Sequence, residues 1–112
     1  MQDTIERIRK FRDERDWMQF HNPKDLAVSL SVEAAELLEI FQWQSAEQST
    51  RTLAEKREAV SDEMADVAIY LIELADLAGI DLAKAIDAKL VKNAIKYPVE
   101  KSRGRITKYT EL

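Results

Sequence analysis

The sequence predicts an all-α protein: a four-helix bundle whose core is completed by association with further copies of the chain. Three observations carry this expectation. Two Gly and two Pro in 112 residues leave long uninterrupted stretches rich in Ala, Leu, Glu, Lys and Ile, the residue types that favour helix. Apolar positions Val60, Met64, Val67, Leu71, Leu74 and Ala78 recur at 4-3-4-3-4 spacing, the seam of a packed helix pair. A matching stripe runs through Leu26, Leu30, Leu37 and Ile40 or Phe41. An apolar fraction of 46% suffices for a core. A chain this short still buries only a modest share of its surface, hence the expected self-association.

The elements follow in order. Asp3 opens the first helix with Glu6 as capping-box partner, and the helix runs to about Asp16. Trp17 to His21 is a short aromatic connection. Asn22-Pro23 starts the second helix, Asn as N-cap and Pro at the first position, and the pattern continues to about Trp43. Gln44 to Arg51 is polar and reads as a loop. Thr52 and Glu55 form a second capping box ahead of a long third helix, which ends at Ala78-Gly79 with Gly in the left-handed position. Asp81 caps the fourth helix, and Pro98 stops it after Lys96-Tyr97. Residues 99–112 carry six charges and Gly104 and read as an irregular tail. The whole length, 1–112, is expected to form a single domain.

Composition excludes several functions. The formal charge of −4 is spread with both signs mixed, so no basic stripe exists for a nucleic-acid polymer. No cysteine is present, which rules out thiolate metal sites and cysteine nucleophiles. No apolar run approaches the ~20 residues of a membrane span, and Met1 to Lys10 lacks the apolar stretch of a secretory signal. A cytoplasmic protein is the expectation.

The chemistry sits in the seams. Between Leu30 and Leu37 the inward position falls on Glu33, with Glu36 beside it on the same face. On the third helix, Glu63 and Asp66 repeat that spacing next to Val60, Met64 and Val67. Two facing helices would bring four carboxylates to one point, where like charges raise one another's pKa unless cations intervene. An oxygen-only donor set selects a hard cation, Mg²⁺ or Mn²⁺. Acid pairs at the same spacing also occur at Asp3/Glu6, Asp13/Asp16, Glu36/Glu39, Glu55/Glu58 and Glu73/Asp76. Spacing alone therefore decides nothing among 21 acids. A di-iron bundle would need Glu-x-x-His pairs, and the lone His21 stands outside any such spacing.

Glu33-Ala34-Ala35-Glu36, then 26 residues, then Glu63-Met64-Ala65-Asp66-Val67 resembles the E-x-x-E…E-x-x-D signature of the all-α, MazG-like nucleotide pyrophosphohydrolases. Around it, Arg15-Asp16-Trp17 with Phe20-His21 and Pro23, Glu39-x-Phe41-Gln42-Trp43, Asp66-Val67 with Ile69-Tyr70-Leu71, and Lys96-Tyr97-Pro98 followed by Ser102-Arg103-Gly104 resemble the dCTP pyrophosphatase branch. The resemblance implies cleavage of a nucleoside triphosphate, dCTP or a modified dCTP, to the monophosphate and pyrophosphate. It implies Mg²⁺ held by Glu33, Glu36, Glu63 and Asp66, with Glu36 or Glu39 accepting the proton of the attacking water. It also implies a nucleotide pocket drawn from Trp17, Trp43, Tyr70, Lys89, Asn93, Lys96 and Tyr97, and a homodimer or homotetramer. Without the resemblance, the two tryptophans read as core or interface residues and the lysines as a solvated face. The alternative function is a non-catalytic nucleotide-binding or helical oligomerisation module.

Overall fold

The computed structural model describes all 112 residues, and every regular element in it is helical. Two units divide the chain, Met1–Gly79 and Ile80–Leu112. The first holds α1 (Gln2–Glu14), a single 3-10 turn (Met18–Phe20), α2 (Pro23–Phe41), α3 (Ala46–Glu55) and α4 (Arg57–Ala78). The second holds α5 (Leu82–Lys96), a one-turn α6 (Val99–Ser102) and a closing 3-10 turn (Tyr109–Glu111). None of these helices is long and apolar enough to cross a membrane.

Three helix boundaries follow the expected local chemistry. Asn22 accepts a hydrogen bond from the Asp25 amide at 2.9 Å, with Pro23 at the first helical position. Gly79 terminates α4 at φ 68° in the left-handed region, and Asp81 accepts from the Lys84 amide at 3.1 Å to start α5.

Elsewhere the structure corrects the expected boundaries. The first helix begins at Gln2 with Met1 as a cap that makes no side-chain bond. Asp3 lies inside its first turn, where a carboxylate meets the positive end of the helix dipole. The expected loop from Gln44 to Arg51 is largely helical. Ser45 and Gln48 make a reciprocal capping box at 3.1 and 2.9 Å, so the helix is capped seven residues before the expected cap at Thr52. Thr52 is instead buried inside α3, and the chain breaks only at Lys56. Residues 99–112 are not wholly irregular, since α6 and the final turn interrupt them.

In the first unit, α4 is the central element, with α2 its most extensive partner and α1 on another face. His21, just before α2, lies against Glu73 late in α4, whereas Glu33 and Glu36 meet Glu63 early in α4. The two helices therefore run antiparallel. Leu26, Val60, Ile72 and Ala75 are the buried apolar core. The α2 stripe of Leu26, Leu30, Leu37, Ile40 and Phe41 turns inward as expected.

The α4 seam differs from the apolar pattern. Val60, Glu63, Val67, Tyr70 and Leu74 are partly or fully buried, while Met64 is 57% and Leu71 38% exposed. Both sets satisfy a seven-residue repeat. The set that packs is the one carrying a carboxylate and a phenol, and the apolar alternatives face outward.

Replacing Gly79 by Ala tests the α4 terminus. A Cβ there meets nothing within 4 Å, so the cost is conformational only, about 1 kcal/mol for holding an L-residue in the left-handed region. Thermal unfolding should show this loss, and an unchanged melting temperature would contradict the cap assignment.

Candidate active site

Carboxylate oxygens of Glu33, Glu36 and Glu63 lie within 4.8 Å of one another. The position follows from the two seams: Glu33 falls between Leu30 and Leu37 on the inward row of α2, and Glu63 between Val60 and Val67 on that of α4. Glu36 reaches the same point from an exposed position. Asp66 stands outside this trio, yet near enough for its charge to act on both Glu33 and Glu63. One oxygen each of Glu33 and Glu63 is buried with no hydrogen-bond partner.

The electrostatics match that crowding. Burial, followed by the neighbouring Glu36, pushes the Glu33 carboxyl up to about 7. Glu63 is raised by burial and then by Glu36 and Asp66. Native structures rarely leave buried carboxylate oxygens unpaired, and a divalent cation satisfies both the orphaned oxygens and the repulsion. The cluster is thus one that can hold a metal, and its donor set is all oxygen.

A cavity of about 520 Å³ adjoins the cluster, within the range typical of small-molecule sites, roughly 300–1,000 Å³. Glu33, Asp66, Ile69, Tyr70 and Glu73 line it from α2 and α4; Thr4, Arg7, Ile8, Phe11 and Arg12 from α1; Trp17 and His21 from the connection. The connection is placed by backbone geometry. Asp16 adopts φ 54°, while the Trp17 amide bonds the Arg12 carbonyl and the Asp16 amide the Asp13 carbonyl. This is a Schellman termination with Asp in the usual glycine position, and it turns Trp17 back onto Phe11, edge to face with ring centroids 5.8 Å apart. A bidentate ion pair between Arg9 and Asp76 ties α1 to α4 and holds the Asp76 carboxyl below its ordinary range.

The other expected site residues fall as follows. Trp17 lines the cavity and is 43% exposed, whereas Trp43, just past the end of α2, is 88% exposed. Tyr70 lines the cavity, its hydroxyl raised by burial and then by the charge of Glu33. Glu39 is exposed on α2. Within the second unit, Lys89 is exposed and Asn93 half-buried on α5, Lys96 sits 4.8 Å over the Tyr109 ring, and Tyr97 packs edge-on against Tyr109 at 5.8 Å.

Sequence reasoning missed the α1 wall of the cavity and Glu73. The signal for Glu73 was present, a lone acid inside the apolar run Leu71-Ile72-Glu73-Leu74. Its i,i+3 partner Asp76 places it among the chance acid pairs. His21 has Nδ1 3.2 Å from Glu73 Oε1.

An antiparallel helix pair with an acidic cluster in its seam and a cavity beside it defines the class of protein. Residues 28–112 match the MazG-like family. Over 115 aligned positions, 97% of this chain and 68% of the relative, the chain is 44% identical to dCTP pyrophosphatase 1 of Rattus norvegicus. With the same coverage it is 40% identical to dCTP pyrophosphatase 1 of Homo sapiens. A crystal structure of a pyrophosphatase from Archaeoglobus fulgidus superposes with a TM-score of 0.85 at 46% identity, covering 88% of this chain and 92% of that one. The chain belongs to the MazG-like family.

The raised Glu33 has a consequence for stability. An unfolded glutamate titrates near 4.5 and the folded Glu33 near 7, so between these values the folded state binds the extra proton. Its contribution to metal-free stability is therefore lost as pH rises through that window. Glu33→Gln should melt above the wild type at pH 8 in chelator, by about 4–8 °C per kcal/mol regained. That advantage should disappear near pH 4. A difference between the two proteins that does not vary with pH would contradict the assignment.

Proposed function

We propose that this chain is a divalent-metal-dependent nucleoside triphosphate pyrophosphohydrolase that cleaves dCTP or a modified dCTP to the monophosphate and pyrophosphate. The observation that carries the reading is the juxtaposition in one unit of three clustered carboxylates, two with orphaned buried oxygens, and a cavity with aromatic walls. The names of the relatives supply the substrate class.

Glu33, Glu36, Glu63 and Asp66 are the ligands in this reading, and Mg²⁺, with Mn²⁺ as substitute, is the cation their hard oxygens suit. Such a cation neutralises phosphate charge and polarises the phosphoryl group under attack. The four acids would hold that cation at the seam, and no covalent nucleophile is required. Glu36 and Glu39, both exposed, are the groups able to take a proton from an incoming water. Trp17 offers an indole face to the base inside the cavity, a stacking contact of about 1–3 kcal/mol. Trp43 and Tyr70 in the first unit, and separately Lys89, Asn93, Lys96 and Tyr97 in the second, are the further residues proposed to bind nucleotide. The family match runs through both units, which supports one catalytic domain over 1–112, and a cytoplasmic location is part of the proposal.

Self-association to a homodimer or homotetramer is part of the proposal. Its support is a four-residue apolar core beside exposed Val28, Val32, Leu38 and Met64 on α2 and α4. Analytical ultracentrifugation should find an oligomer, and a monomer at micromolar concentration would remove this part.

Pyrophosphate release from a panel of dNTPs with Mg²⁺, with product identification, tests the reaction. The expected products are pyrophosphate and dCMP, and no release from any dNTP would sink the enzymatic reading. Glu36→Gln and Glu39→Gln separate the two candidate bases. The true base should lose about 10²- to 10⁴-fold in turnover while nucleotide affinity is kept.

A further inference from the structure

Glu73 is a group the proposed hydrolysis does not use. It is 5% exposed, lies on α4 outside the clustered carboxylates, and lines the same cavity as Glu33 and Asp66. Burying a carboxylate is costly unless it is compensated. Part of the compensation is visible: His21 Nδ1 stands 3.2 Å from Oε1, and the charge of Arg12 acts on the group. Neither supplies an aligned hydrogen bond. His21 Nδ1 is itself without a hydrogen-bond partner, and the Arg12 guanidinium bonds Asp13 at 2.8 and 3.2 Å. A carboxylate offers about four acceptor positions; His21 stands beside Oε1, and no donor of this chain bonds Oε2. Joining α1 to α4 does not explain the residue either, because the Arg9–Asp76 pair one turn onward already does so.

The cavity around it suits a flat ring. Ile8, Phe11, Trp17 and Ile69 provide apolar and aromatic walls. An acceptor buried beside such walls pairs with a donor on the edge of that ring, and carboxylates characteristically accept from the cytosine 4-amino group.

We infer that Glu73 reads the base: its carboxylate accepts a hydrogen bond from an exocyclic amino group on a nucleobase held in the cavity, selecting the 4-amino pyrimidine over the 4-oxo one. This rests on the reading of the chain as a nucleotide pyrophosphohydrolase. A 4-oxo base brings an acceptor to an acceptor, leaving both unpaired, which is how a polar pocket rejects a near-isosteric competitor. His21 and Arg12 are positioning residues, holding the buried charge in place while Oε2 stays open to the base.

The test measures kcat and KM on the full chain with Mg²⁺ for three substrates. They are dCTP, dUTP, and the pyrimidin-2-one analogue of dCTP, which carries hydrogen in place of the 4-amino group. Wild type should favour dCTP over each of the others by at least about tenfold, a single polar base contact being worth this much. Glu73→Gln is nearly isosteric, and its amide both donates and accepts. It should shrink the dCTP/dUTP ratio at least about tenfold, with dUTP gaining and the change concentrated in KM. If Glu73 only supports the fold, all three substrates fall together and the ratios stay constant, which overturns the inference and leaves the hydrolase reading intact. Equal use of dCTP and the pyrimidin-2-one analogue by wild type overturns it as well, independently of how the variant folds. No pyrophosphate from any substrate would remove the underlying reading and this inference together.

Discussion

The rows that hold α2 against α4 are also the rows that carry Glu33 and Glu63, so the surface that organises the first unit is where its like charges meet. An ordinary antiparallel pair fills that interface with apolar side chains. Here the inward position between Val60 and Val67 belongs to Glu63 while Met64 faces out, and the position between Val67 and Leu74 belongs to Tyr70 while Leu71 faces out. Burying a carboxylate at the Glu63 position is costly where an apolar side chain would pack freely. What is gained is a fixed acidic point with two orphaned oxygens, held by rigid helices rather than by loops.

The second face of α4 completes the site. Arg9 clasps Asp76 there, and α1 ends in a left-handed Asp16 that folds Trp17 against Phe11. The cavity is thus bounded by three segments far apart in sequence, α1 with its connection, Glu33 on α2, and Asp66 to Glu73 on α4. Its polar groups divide by position. The acids at the seam suit a hard cation and the phosphates it carries, whereas the buried Glu73 acceptor stands among apolar and aromatic walls that suit a base.

Much of this was legible in the residues. The all-helical class, the caps at Asn22 and Asp81, the stop at Gly79 and the inward Glu33 follow from local hydrogen-bonding chemistry and from a carboxylate interrupting an apolar stripe. The segment from Gln44 to Arg51 misled because its polarity resembles a loop. Ser45-x-x-Gln48 is as good a capping box as Thr52-x-x-Glu55, and it comes first. The choice of Met64 and Leu71 for the seam failed for a related reason, since two rows one residue apart share the same repeat and hydrophobicity alone favours the more apolar one.

The sequence by itself determined that the chain is helical, that its metal-ligand candidates are oxygen donors only, and that the E-x-x-E and E-x-x-D motifs stand on two helices. These depend on residue type and on spacing within a turn or two, interactions of neighbours along the chain. Only the tertiary structure decided which row of α4 faces α2, that α1 walls the cavity, and that Glu73 is buried beside His21 rather than exposed like Asp3, Glu6, Glu55 and Glu58. Such choices hinge on contacts between residues up to 67 positions apart, as in the Arg9–Asp76 pair. No local pattern encodes which partner a helix face will meet.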